Sequence, residues 1–303
     1  MYLRMLSEKN DQQKNYNINY IKMKKLITII ATGIFFSSCQ KNNNGSFKDE
    51  LTIEGKIVIP QETNTLARNE EVEYNTFYGP VVQMGEGHVR SWANISHDNI
   101  ALAIGIEMTE GALQLHDHDG DENSLEFLIQ LHQKAKALMP FDHIVVNWNE
   151  HGHPPPGIYS APHFDFHFYK MSLEQRLLIP AYAAAPGPFN NLPPTGYIPS
   201  GYFRGPNEGV PRMGSHWIDL LSPEFQGQPF THTLIYGSYD GKVTFVEPMV
   251  TLATMQSGAT IQKQIRQPQF FDPVDKYYPT RYNIWKNEDN NRHYIAMDQM
   301  VLR

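Results

Sequence analysis

Pro162-His163-Phe164-Asp165-Phe166-His167-Phe168-Tyr169 is the stretch that decides how this chain folds. A strand points successive side chains to opposite faces, so a period of two sorts these residues into two sets. Phe164, Phe166 and Phe168 fall on one face, and His163, Asp165 and His167 on the other. The pattern predicts a strand with its aromatic face in a core and a row of ionisable groups on the reverse. Upstream, His143, Asn147 and Asn149 alternate with Ile144, Val146 and Trp148, a second strand with one polar face.

Strand patterns recur outward from there. Tyr78–Met84, Val89–Ile95 and Ala101–Glu107 read as strands, the first two joined by Gly85-Glu86-Gly87, and Leu51–Ile59 alternates in strand fashion. Phe230–Tyr239 and Lys242–Val250 flank Asp240-Gly241, a pair suited to a two-residue type I′ turn. Counting outward from that turn pairs Tyr236 with Phe245 and Leu234 with Glu247, and places His232 on the face of Glu247. Pro248 implies an edge or a bulge there, because it has no N–H for a ladder. Tyr282–Trp285 and His293–Met300 make a further hairpin. Two helices are expected. One opens at Ser124, carries Leu125, Leu128, Leu131, Ala135 and Leu138 at helical spacing with His132 packed beside them, and ends at Pro140. The other begins at the capping box Ser172-Leu173-Glu174-Gln175 and closes at Pro180. Residues 180–211 hold eight prolines and read as a long contact arm, packed on the body or on a neighbouring subunit. The expected fold is mainly β (α+β): an antiparallel barrel-like or sandwich domain with one or two helices and a long proline-rich loop.

The 303 residues carry 25 Lys+Arg against 32 Asp+Glu, a net charge of −7, which argues against a nucleic-acid surface. The single cysteine excludes disulfides within the chain and cysteine-rich zinc sites. Its position gives it another use. Met23-Lys24-Lys25 precedes the apolar run Leu26–Phe36, too short to span a bilayer, and Phe36-Ser37-Ser38-Cys39 follows. This resembles a bacterial lipoprotein signal with Met23 as the expected start and Cys39 as the lipidated first residue of the mature chain. The other reading is a buried apolar helix with a free thiol. Residues 1–38 are thus expected to be a signal region, 39–50 a tether, and 51–303 a single β-rich domain. Loss of residues 1–38 leaves 19 Lys+Arg and 30 Asp+Glu, so membrane attachment would rest on the lipid at Cys39 in the cell envelope.

Five of the 13 histidines fall within residues 143–167. Same-face residues on a strand lie about 6.5–7 Å apart, so a metal held by His163 or His167 needs further donors from elsewhere. His216, beside Gly214-Ser215, and Glu247, a lone carboxylate in an apolar strand, are the candidates, with His232 in reserve. The expected ligand set is His163, His167, His216 and Glu247, with Asp165 orienting a ligand or accepting a proton. Imidazoles plus a carboxylate suit zinc, iron or manganese. His151 and His153, spaced as the paired histidines of cupin barrels are, line the site with Tyr159. Catalysis at such a centre would be metal-dependent hydrolysis or a cupin-like lyase or oxygenase reaction. The alternative is a non-catalytic protein whose His-Asp-His face is a buried polar network. The acidic loop His116–Glu122 lacks the glycine of an EF-hand and reads as solvated. Serine-elbow, Walker, dinucleotide and His-Glu-x-x-His motifs are absent.

His153-Pro154-Pro155-Pro156-Gly157-Ile158-Tyr159 followed by Pro162–Tyr169 resembles the signature of a bacterial domain-of-unknown-function family, represented by a sigma-factor-regulated protein of a Thermus plasmid. Gly214–Trp217, Tyr236–Gly241 and Phe245–Met249 are similar to it as well, and the resemblance covers roughly residues 75–303. It implies a secreted or envelope protein with a β-rich fold that self-associates as a homo-oligomer, and it supplies no reaction.

Overall fold

The computed structural model describes residues 55–60, 72–115 and 125–303, all within one compact unit, Phe47–Arg303. The leader, Cys39 and the loop His116–Glu122 lie outside the described residues. No helix among the described residues is long and apolar enough to cross a membrane.

The chain first lays down β1 (Tyr74–Tyr78), β2 (Val82–Met84), β3 (Gly87–Ser96) and β4 (Ala101–Thr109). It then builds a second sheet from β5 (Leu125–Gln130), β6 (His143–Asn149), β7 (His163–Tyr169), β8 (Tyr202–Phe203), β9 (Ser215–Asp219), β10 (His232–Tyr239) and β11 (Lys242–Thr251). Finally β12 (Ile261–Gln264), β14 (Arg281–Asn287) and β15 (Arg292–Asp298) return to the first sheet, while β13 (Tyr277–Tyr278) pairs with β16 (Val301–Leu302). The first sheet runs β1-β3-β4-β15-β14-β12, with β2 also on β3, and the second runs β5-β6-β7-β11-β10-β9-β8. The ladders are antiparallel and neither sheet closes into a barrel, so of the two expected architectures the sandwich is the one formed.

The core lies between the sheets. Phe164, Phe166 and Phe168 join Ile144, Val146, Ile104, Ile106 and Ile295 in one apolar cluster that draws on both. Each phenylalanine is fully buried, worth about 1.5–3 kcal/mol relative to exposure. That burial turns the other face of β7 outward and sets where its ionisable side chains stand.

Several expected elements take a different form. The helix expected from Ser124 is a strand over Leu125–Gln130, and only Gln133–Leu138 (α1) is helical. Leu125, Phe127 and Ile129 also alternate, and pairing with the edge of β6, from Leu125 opposite Trp148 to Gln130 opposite His143, outweighs the helical pattern. His132 caps α1 by accepting from the Lys134 amide and packs against Phe77. Pro80 falls in the break that divides Tyr78–Met84 between β1 and β2. Residues 55–60 form no strand. The Ile57 amide donates to the Thr76 hydroxyl, and its carbonyl accepts from the Asn94 amide and the Tyr74 hydroxyl.

The Ser172 capping box forms as expected and starts α2 (Leu173–Leu177). The proline-rich segment contains a 3₁₀ turn and α3 (Pro186–Asn190), and lies against the β10–β11 hairpin. There the Asp240 and Gly241 amides donate to the Pro188 and Asn191 carbonyls, and Phe189 packs on Tyr239. After β11, α4 (Leu252–Gln256) is capped by Thr251.

The hairpin register is the most consequential difference. Near the turn Tyr239 pairs with Lys242 and Ser238 with Val243, but beyond it Gly237 pairs with Phe245 and Ile235 with Glu247. Thr244 is the extra residue of a bulge. A one-residue slip exchanges the two faces of a strand. Val246 and Val250 therefore face the core with Leu234 and Tyr236, while Phe245, Glu247 and Met249 face outward with β7's ionisable row.

Candidate metal centre

β7 lies between β6 and β11, and this places three rows of side chains on one outer face. His163, Asp165 and His167 stand opposite Asn149, Asn147 and Val145 of β6. On the other side Thr251 and Met249 of β11 stand opposite His163 and Asp165. The polar face expected for β6 is thus beside that of β7.

The ionisable groups assemble into two sets of three. In the first, His163 Nε2 is 3.2 Å from Asp165 Oδ1, and His153 Nε2 is 3.4 Å from Asp165 Oδ2. In the second, His167 Nε2 and His216 Nε2 lie 3.4 and 3.8 Å from Glu247 Oε2. The residues expected to share one ion are therefore divided, His163 to one group and His167, His216 and Glu247 to the other. Asp165, expected to orient a ligand or take a proton, and His153, expected to line the site, stand as donors in the first group. Tyr159 packs edge-on to His153 while its hydroxyl donates to Glu224 at 3.5 Å. His151 is exposed and belongs to neither group. His232 is on the core side of its strand, where its Nδ1 meets the Tyr282 hydroxyl at 2.8 Å; the bulge removes it as a reserve ligand.

Local structure aims the first group. His163 Nδ1 is 2.7 Å from the Ala161 carbonyl and His153 Nδ1 is 2.8 Å from the Pro154 carbonyl. A carbonyl only accepts, so both Nδ1 atoms carry the proton and both Nε2 atoms face Asp165. The Asn149 amide donates to Asp165 Oδ2 at 2.7 Å and holds the carboxylate. Burial opposes ionisation of Asp165, but the neighbouring His163 and His153 hold its carboxyl well below the usual range. Burial likewise disfavours the His153 imidazolium, and Asp165 outweighs it and raises the pKa.

The second group is built over a gap in the sheet. His216 on β9 pairs with Gly237 on β10, and the imidazole reaches Glu247 on β11 across that glycine. Phe245 fills the space, its ring 4.8 Å from His167 and 5.3 Å from His216. Burial pushes His167 down to about 3 and His216 to about 4; Asp165 opposes both shifts, and neighbouring imidazoles add to them. Burial and then Asp165 push Glu247 well above its ordinary value. All three shifts favour the neutral form of the group.

Buried atoms without a hydrogen-bond partner include His163 Nε2, Asp165 Oδ1, both ring nitrogens of His167 and Glu247 Oε2. Each orphan of this kind calls for a cause, an ion among them. Sequence reasoning underweighted His153 and Asn149 and passed over Gly237 and Phe245. The His-x-His spacing was the available signal for His153, whereas Gly237 acquires its role from the strands on either side. A separate cavity, lined by Lys170, Tyr236, Val246, Gln267 and Tyr278 among others, shares no residue with either group.

Fold and site together define an antiparallel β-sandwich with two His/carboxylate groups, each able to hold a metal ion or to form a buried polar network. Compared with family models, curated proteins and solved structures, the chain matches none.

Proposed function

We propose that this chain is a metal-binding protein that holds divalent transition ions, zinc, iron or manganese, on the outer face of its second sheet. The donor spacing carries the reading. Nitrogen and oxygen ligands about 2.0–2.2 Å from a tetrahedral ion lie about 3.3–3.6 Å from one another. The observed 3.2–3.8 Å nitrogen–oxygen separations bracket that spacing, the donor atoms of each group lie within 4.8 Å of one another, and the buried Nε2 atoms of His163 and His167 have no hydrogen-bond partner. Two histidines and one carboxylate are the ligands of many catalytic zinc and non-haem iron sites, and three protein donors leave a position for water or substrate. Such an ion would acidify a bound water or polarise a carbonyl, within reach of hydrolytic or lyase chemistry.

The lipoprotein-type leader supports attachment of this domain to the bacterial envelope through a lipid on Cys39. The family resemblance supports self-association, which sedimentation would check. A second reading applies to the first group, where the bond from Asn149 and the raised His153 hold Asp165 in an ionic network without a metal. Elemental analysis of untagged protein, before and after reloading, separates the two. About one equivalent or more is expected, and less than about 0.1 equivalent of every transition metal would sink the metal reading.

A further inference from the structure

Both groups grow from one face of one strand. Asp165 and His167 are consecutive residues of that face, which sets the groups about 6.5–7 Å apart at their roots. Asp165 is close enough to act electrostatically on His167, His216 and Glu247, so the groups form one cluster. The open members are His153 and His216, whose side chains are 30% and 22% exposed, while His163, Asp165, His167 and Glu247 are 0–6% exposed. Tyr159, Phe230, Met249 and Phe245 surround the donors with apolar surface, which strengthens electrostatic attraction inside.

Charge then selects the ligand. Two divalent ions bring four positive charges against the two carboxylates Asp165 and Glu247, and the four imidazoles bind as neutral ligands. The loaded cluster has an excess of two positive charges and is complementary to an anion. The two groups share no residue, so no ligand of the chain holds the ions at the roughly 3.5–4 Å typical of two-metal sites with a bridging oxygen. An O–P–O unit reaches further.

Resting on the metal reading above, we propose that the two groups hold a pair of ions that bind one phosphate-type oxyanion between them. The substrate class is a phosphate or phosphate ester, gripped by one oxygen on each ion.

The test uses untagged protein loaded with Mn2+, with inorganic phosphate as the probe. Two ions per chain and one phosphate per pair are expected, and phosphate should alter the dipolar coupling between the two ions in the electron paramagnetic resonance spectrum. His153→Ala and His216→Ala, both at partly exposed positions, should each retain one ion and bind phosphate at least about tenfold more weakly. Two ions whose spectrum phosphate leaves unchanged, or single-ion variants with full phosphate affinity, would overturn the pairing and leave the metal reading standing. One ion per wild-type chain would do the same. No ion at all would remove both. If either variant fails to fold, the wild-type spectrum with and without phosphate still decides.

Discussion

One added methyl group at Gly237 should damage the second group without touching a ligand. A Cβ built there would lie 2.0 Å from Phe245 Cε1 and 2.2 Å from Cζ. Carbon atoms pack at about 3.5–4.0 Å, so the ring must retreat by roughly 1.5 Å or more. Phe245 is fully buried, with His167, His216 and Tyr169 at 4.8, 5.3 and 5.3 Å around it, so its retreat moves both imidazoles. Overpacking a tight core costs about 1–3 kcal/mol, and replacing a strand glycine by alanine returns about 0.5–1 kcal/mol. Gly237→Ala should therefore destabilise the metal-free protein by about 1–2 kcal/mol, a fall in Tm of about 2–8 °C for a domain of this size. Thermal unfolding measures the first effect. Co2+ titration, read by visible absorption, measures the second: one site weakened at least about tenfold, the His153 group intact. Adding Phe245→Leu should recover part of the loss. A Gly237→Ala protein with wild-type Tm and both sites at full affinity would refute the account of how His216 reaches Glu247.

Three more outcomes follow from the same physics. Burial and nearby Lys263 hold His232 down at about 4, so the folded state binds fewer protons than the unfolded state between that value and about 6.5. Its stability contribution is complete above pH 6.5 and is lost as pH falls toward 4; His232→Gln should flatten that acid limb by on the order of 2 kcal/mol in denaturant titrations, and an unchanged limb would contradict it. Burial, partly offset by Asp272, pushes Lys170 down to about 8, so stability rises with pH between 8 and about 10.5. Lys170→Met should be more stable than wild type at pH 7 by on the order of 2 kcal/mol, with the difference closing above pH 10.5; equal stability at pH 7 would refute it. Cys39→Ser should move the protein from the membrane pellet to the soluble fraction and abolish fatty-acid labelling, whereas retention in the pellet would refute the lipid anchor.

Where the sequence reading succeeded, the signal was local. The alternation over His163–Tyr169 depends only on strand geometry, and β7 has its phenylalanines in the core between the sheets and its ionisable row buried on the opposite face. The Ser172 capping box needs only its own four residues. Where it failed, two local patterns competed or a distant partner intervened. Leu125, Leu128 and Leu131 satisfy a helical period, yet Leu125, Phe127 and Ile129 satisfy a strand period, and the edge of β6 decided between them.

The amino-acid sequence by itself determined which faces are greasy and which ionisable, because a side chain's direction along a strand is set by covalent geometry. It also narrowed the donor types open to any metal, since a chain with one cysteine has imidazole and carboxylate as its main side-chain donors. Only the tertiary structure decided how the donors are grouped. The bulge at Thr244 turned Glu247 outward and His232 inward, the loop after β6 folded His153 back onto Asp165, and Gly237 let His216 cross a strand. Each depends on pairing between segments distant in sequence, where register and close approach are set by packing energy and not by local period.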